Sequence, residues 1–207
     1  LSYSGSGSSS NRNWQLNAAG TAAPLTFRNI GTGTLTLTGN MVVSGGSNFG
    51  TNFNANNADM SLLGIISGNG LVSYTGAAGR TITLGNVNTY TTATGINGVT
   101  VRAGSLKDIG TASSFGAGAV GNGIGITNGA VNYTGAGDSS NRTWGLNGGA
   151  INNEATGALA LSGTLALTNT GTLGGSYTGA DNLFSGVISG TGGLTKSGAS
   201  TWVVSGA

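Results

Sequence analysis

Tyr3-Ser4-Gly5-Ser6-Gly7-Ser8-Ser9-Ser10-Asn11-Arg12-Asn13-Trp14-Gln15-Leu16-Asn17 returns 130 residues later as Tyr133-Thr134-Gly135-Ala136-Gly137-Asp138-Ser139-Ser140-Asn141-Arg142-Thr143-Trp144-Gly145-Leu146-Asn147. Further matches keep the order while the offset shrinks. Gly33–Gly39 (Gly-Thr-Leu-Thr-Leu-Thr-Gly) reappears as Gly157–Gly163 at an offset of 124, and Gly64–Gly70 as Gly186–Gly192 at 122. Fixed segments separated by connections of varying length are the mark of a repeat architecture. The recurrence divides the chain into one long unit, 1–130, and the first part of a second, 131–207, within a single continuous segment.

The matching segments read as strands. Leu35-Thr36-Leu37-Thr38, Thr81-Ile82-Thr83-Leu84, Val99-Thr100-Val101 and Leu159-Ala160-Leu161 alternate with period two, which sends their aliphatic residues to one face. Each run stops at Gly or Asn, as at Gly39-Asn40, Gly85-Asn86 and Asn147-Gly148-Gly149. These residues supply tight corners because they tolerate positive φ. Helix is disfavoured throughout: 42 of the 207 residues are glycine, each costing a helix interior about 1 kcal/mol. Short strands with frequent corners suit a sandwich or a solenoid, and the repetition favours the solenoid.

The expected fold is therefore all-β, a right-handed parallel β-helix of about nine coils at about 20–25 residues each, a rod on the order of 45 Å long. Its core is expected to stack Leu35, Leu37, Ile65, Ile82, Leu84, Val99, Val101, Leu159, Leu161, Leu165, Leu167, Ile188 and Val203 with a few aromatics.

Composition excludes several functions. Charged residues are 6% of the chain, with seven bases and five acids, net +2. No basic cluster exists to neutralise phosphates, so nucleic acid is not an expected partner. Histidine and cysteine are absent, which removes the commonest general base, the commonest metal ligand, disulfides and thiolate sites. The acids Asp59, Asp108, Asp138, Glu154 and Asp181 are scattered, whereas glycan hydrolysis needs a convergent pair. No catalytic residue, cofactor or metal is expected, and the chain is read as a non-enzyme. No apolar run approaches the ~18 residues of a membrane helix, so no membrane insertion of this segment is expected. Beginning at Leu1 without a leader and showing no polar cap, the chain reads as an excised or processed piece with open ends.

The stretch Val187-Ile188-Ser189-Gly190-Thr191-Gly192-Gly193-Leu194-Thr195-Lys196-Ser197-Gly198-Ala199-Ser200-Thr201-Trp202-Val203-Val204-Ser205-Gly206-Ala207 resembles the autotransporter-associated β-strand repeat. Asn88-Thr89-Tyr90-Thr91 and Gly98–Leu106 resemble that family's other half. Val72-Ser73-Tyr74-Thr75 replaces the family's leucine-threonine-lysine run, Thr92-Ala93-Thr94 is inserted, and Ser200 and Trp202 stand for its usual glycine and leucine. The resemblance implies a parallel β-helix passenger of a large bacterial surface or secreted protein, placed outside the cell or on the outer cell surface.

Four side chains are candidates for glycan or partner contact: Arg12 with Trp14, and Arg142 with Trp144. Tryptophan offers a stacking face with a polar edge, and arginine suits acidic groups. The competing reading fills the coil with the tryptophans and spends the arginines on the neighbouring ring or on loop carbonyls. The 23 asparagines are expected to form hydrogen-bonded ladders along corners. Function is expected to be structural or adhesive, with cell-surface or matrix glycans, or the chain itself stacked end to end or laterally, as partner. A self-associating subunit of an extracellular filament is the alternative, and a polysaccharide-active β-helix enzyme is the third reading.

Overall fold

The computed structural model describes residues 1–18, 24–45 and 50–206; Ala207, the last residue of the second unit and of the family-like stretch, lies outside them. Nine coils wind around three faces. The first face stacks Ser2–Tyr3, Leu25–Asn29, Gly50–Ala55, Leu71–Gly76, Thr94–Asn97, Ile124–Thr127, Trp144–Asn147, Leu165–Leu167 and Ile188–Gly190. The second stacks Ser8–Ser10, Leu35–Leu37, Met60–Leu62, Thr81–Leu84, Thr100–Ala103, Ala130–Tyr133, Ala150–Asn153, Gly171–Gly175 and Leu194–Lys196. The third carries two stacks. Trp14–Asn17, Met41–Ser44 and Ile66–Gly68 form the first, and Asp138–Ser140, Leu159–Leu161, Asn182–Phe184 and Trp202–Val204 the second. Pairing between the strands of successive coils is parallel, so each coil offers its backbone to the next, and no helix is present among the described residues.

Register turns the alternation into columns. On the first face Phe27, Phe53, Tyr74, Ile96, Ile126, Leu146 and Leu167 lie one above another, all buried. On the second, Leu35, Met60, Ile82, Val101, Val131, Ile151 and Leu173 do the same. Each such aliphatic side chain contributes about 1.5–3 kcal/mol by leaving water, and neighbouring coils add these terms almost independently.

Three core expectations change. Ile66, not Ile65, enters the core: it sits in register with buried Met41, while the Ile65 N–H remains at the corner and donates to Asn40 Oδ1 (2.9 Å). Val203 takes the outward register position, over exposed Leu183, while Trp202 and Val204 stand over buried Asn182 and Phe184; in this ninth coil Val204 is itself 45% exposed. Ile188 points inward above Leu165 but is only partly covered in the ninth coil.

Segments that recur in the sequence do not recur on the same face. Tyr3 is on the first face and Tyr133 on the second; Leu35–Leu37 is on the second and Leu159–Leu161 on the third; Ile66–Gly68 is on the third and Ile188–Gly190 on the first. The recurrence therefore advances the chain by five coils plus one face, a third of a turn. Local chemistry follows the sequence rather than the face. Asn29, at the corner from first to second face, accepts from Gly31 N (3.0 Å) and donates to Gly33 O (3.1 Å). Asn153, at the corner from second to third, accepts from Ala155 N (3.0 Å) and donates to Gly157 O (3.0 Å). The asparagine ladders are short: Asn152 with Asn132, Asn169 with Asn147, and Asn153 with Asn182.

One glycine column has a steric cause. A Cβ on Gly163 would lie 1.8 Å from Arg142 O, and one on Gly186 1.8 Å from Gly163 O. Neither residue has positive φ. Here glycine is needed so that the corner of one coil can touch the backbone below it, a different demand from the left-handed turn expected of corner glycines.

Burial also sets an alkaline limit. Tyr90 and Tyr133 are raised to about 12, and Tyr74 is raised well above its ordinary 10, in each case chiefly because burial disfavours the phenolate. The unfolded chain ionises these rings first as pH rises, so the stability they contribute is complete below about pH 10 and is lost progressively above it. Thermal unfolding across pH 8 to 12 is expected to show the midpoint falling as pH passes about 10, and a flat profile to pH 12 would contradict this burial.

Candidate adhesive surface

The outer faces carry the alternate residues of each strand, mostly Ser, Thr, Asn, Gly and Ala. On the first face Ser73, Gly95, Gly125, Gly145 and Ala166 stand in register and leave a shallow trough with little side-chain relief. Ion pairs are sparse. Among the described residues they are Arg80–Asp59 at 4.0 Å and Lys107–Asp138. No three His, Cys, Asp or Glu side chains converge among the described residues. Asp59 accepts from Thr81 N (2.9 Å), Asp108 from Asn141 N (2.9 Å) and Glu154 from the Ser176 hydroxyl, while Asp181 is exposed.

The largest departure from regular coiling is residues 104–123. Thirty residues separate Gly95 from its neighbour Gly125, against 20 from Gly125 to Gly145. The excursion covers the third face where the strand stack is interrupted. Beneath it the family-like Asn88-Thr89-Tyr90-Thr91 replaces a strand. Thr89 N donates to Ile66 O (2.9 Å), Thr91 N to Gly68 O (3.1 Å), and Ile66 N to Asn88 Oδ1 (2.7 Å). Asn88 Nδ2 then donates upward to Ser114 O (2.7 Å), and Ala117 N reaches Tyr90 O (2.9 Å).

From above, Asp138–Arg142 grips the excursion. Leu106 N donates to Asp138 Oδ2 (2.8 Å), Ser140 Oγ to Lys107 O (3.1 Å), and Ile109 N to Asn141 Oδ1 (2.8 Å). Arg142, 2% exposed, donates to five carbonyls: Lys107 O through Nε (2.9 Å), Phe115 O (3.2 Å), Thr111 O (3.2 Å), Gly116 O (2.7 Å) and Ala117 O (2.8 Å). Burial draws its pKa below the ordinary guanidinium value, opposed by the Tyr90 hydroxyl and the Asp108 carboxylate.

The four candidate contact residues thus separate. Trp144 is 2% exposed, stacked on the first face between Ile124 and Leu165, and Arg142 is spent on loop carbonyls, so neither presents a surface to a glycan. Trp14 is half-buried, edge-on to Phe27 with ring centroids 5.2 Å apart, and Arg12 is exposed. The clamp role of Asp138, Ser140, Asn141 and Arg142 is not visible in the motif. Its one sequence signal is the extra length between Ala103 and Ile124.

No family model matches the chain, and no solved structure matches it. The "Adhesin BmaC autotransporter" of Brucella suis biovar 1 (strain 1330) is 47% identical over 214 aligned residues, which take in 99% of this chain and 6% of that protein. The chain is thus a β-solenoid similar over nearly its whole length to a stretch of an autotransporter adhesin. Its exterior is a wall of Ser, Thr and Asn over a dry aliphatic stack, cohering through backbone bonds between coils. The chain spans about 6% of the length of the relative it matches.

Proposed function

We propose that this passenger stretch is a non-catalytic, adhesive and spacing element of a large bacterial surface protein, held outside the cell. The observation that carries the reading is similarity along 99% of the chain to a protein named as an autotransporter adhesin. The surface supports it: few charges, scattered carboxylates of which Asp59, Asp108, Asp138 and Glu154 already accept hydrogen bonds within the fold, and long polar faces repeated every coil. Contacts with surface glycans or matrix run along these faces as many weak hydrogen bonds, and multivalency supplies the strength.

The test is binding of the purified chain to immobilised host-matrix proteins and glycans at low salt and at about 0.5 M salt, where exposed ion pairs are screened. Saturable binding that survives the salt supports adhesion by this segment. Failure to bind any surface overturns it and leaves spacing as the role.

A further inference from the structure

Arg102 is a cation with no counterpart. Arg80 stands beside Asp59 and Lys107 beside Asp138, Arg142 is buried under carbonyls, and Lys196 donates to Ser197 O and Gly198 O. Arg102 lies on the fifth of the nine strands of the second face, exposed, and its guanidinium meets no acceptor among the described residues. Register sets it between Thr83 and Asn132. Asn132 Oδ1 accepts from Asn152 Nδ2 (2.9 Å), which commits its oxygen to the following coil and leaves its own N–H donors without an acceptor among the described residues. Two donor groups on strands about 4.8 Å apart thus share an unfilled need. A carboxylate, with two acceptor oxygens and one negative charge, answers both.

A hollow opens beside them. Thr83 and Arg102 point outward, and Leu84 and Ala103 inward, so Gly85 and Gly104 come next on the outer side, about 7 Å along the strands. Leu84, Gly85, Val87, Gly104 and Ser105 line a hollow of about 220 Å³ there. A Cβ on Gly104 would meet nothing within 4 Å, and its φ is not positive. Neither packing nor turn geometry requires glycine at this position, and a glycine of that kind leaves room for a ligand to approach the backbone. Exposed Val87 gives the hollow an apolar wall, and the Ser105 hydroxyl is uncommitted among the described residues.

We propose that Arg102, Asn132 and this hollow hold one carboxylated sugar of an acidic polysaccharide. The carboxylate sits between the guanidinium and the Asn132 amide, and the ring lies over Gly104 with its apolar side against Val87. A sugar suits the site better than an acidic peptide, because the strand backbones are committed between coils and offer a peptide no ladder to join. The site rests on the adhesive reading above and gives it a ligand class.

Calorimetric titration of the 207-residue chain with a hyaluronan hexasaccharide, which carries glucuronate, and with the neutral chitin hexasaccharide tests it. The glucuronate oligomer is expected to bind at least about tenfold tighter, the size of one charge-assisted hydrogen bond. Arg102→Gln should remove that preference. Gly104→Leu, which fills the hollow, should weaken hyaluronan binding about tenfold, and neither variant should lower the unfolding midpoint. Equal affinity for the two sugars overturns the proposal, as does a preference that survives Arg102→Gln or equal binding of a hexaglutamate peptide. Adhesion to immobilised matrix by a chain that binds no hyaluronan, unchanged in Arg102→Gln, overturns this site and leaves the adhesive reading standing.

Discussion

Arg142→Met is expected to lower the stability of the middle coils by about 2–5 kcal/mol, the size expected for breaking a buried hydrogen-bond network and leaving carbonyls without a donor. Five carbonyls lose the guanidinium at once; Lys107 O, Gly116 O and Ala117 O keep other donors, but Thr111 O and Phe115 O depend on Arg142, and methionine fills the volume while satisfying neither. Each abandoned buried carbonyl costs about 1–3 kcal/mol unless water reaches it, and opening of the excursion is the way water does so. The loss should fall first on residues 104–118. Hydrogen exchange should accelerate at Ile109, Ala117 and Gly118, and trypsin should cut after Lys107, while the columns of the first three coils stay protected. Arg142→Lys should recover little, because three donors on a point charge cannot reach carbonyls spread around a planar fork. A wild-type exchange pattern in Arg142→Met would show that the clamp does not hold the excursion.

Gly163→Ala and Gly145→Ala should move stability in opposite directions. At Gly163 the new methyl would sit 1.8 Å from Arg142 O, and relief requires two coils to part at a corner where both backbones are committed. A loss of about 3 kcal/mol or more in urea unfolding is expected, in the range of severe overpacking. At Gly145 a Cβ meets nothing within 4 Å and φ is not positive. There alanine trims the freedom of the unfolded strand and should gain about 0.5–1 kcal/mol. Equal effects at the two sites would mean that the corner contact is not tight.

Much of this architecture is legible in the sequence because coil grammar is local. Leu-x-Leu bounded by glycine fixes a strand and two corners, and the recurrence fixes stacking over a sandwich. The phase is not legible. Three faces built from strands of similar length are nearly interchangeable, so Leu35-Thr36-Leu37 fits the second face as well as Leu159-Ala160-Leu161 fits the third. Only the summed lengths of intervening loops decide, and residues 104–123 shift that sum. Paired apolar residues at a corner hide register for a related reason. In Gly64-Ile65-Ile66 either isoleucine completes an alternating pattern, and a shift of one residue exchanges the faces. In Trp202-Val203-Val204 the same ambiguity hid the outward position of Val203. The two arginines were alike in sequence and unlike in burial because the partner of Arg142 lies about 30 residues upstream. Similar motifs therefore predict similar corners, while exposure depends on what the preceding coil carries.

In the nine-coil stack recurring segments advance by one face, and the dipolar distance between spin labels at Asn52 and Ala166 reports that advance. Both point outward on the first face, five strands apart through Ser73, Gly95, Gly125 and Gly145. At about 4.8 Å per strand the labels should be separated by about 24 Å in a single narrow distribution. A recurrence that kept its face would put Ala166 on the third face with its sequence counterpart Val42, and a distance well beyond about 24 Å, or a second population there, would contradict the account.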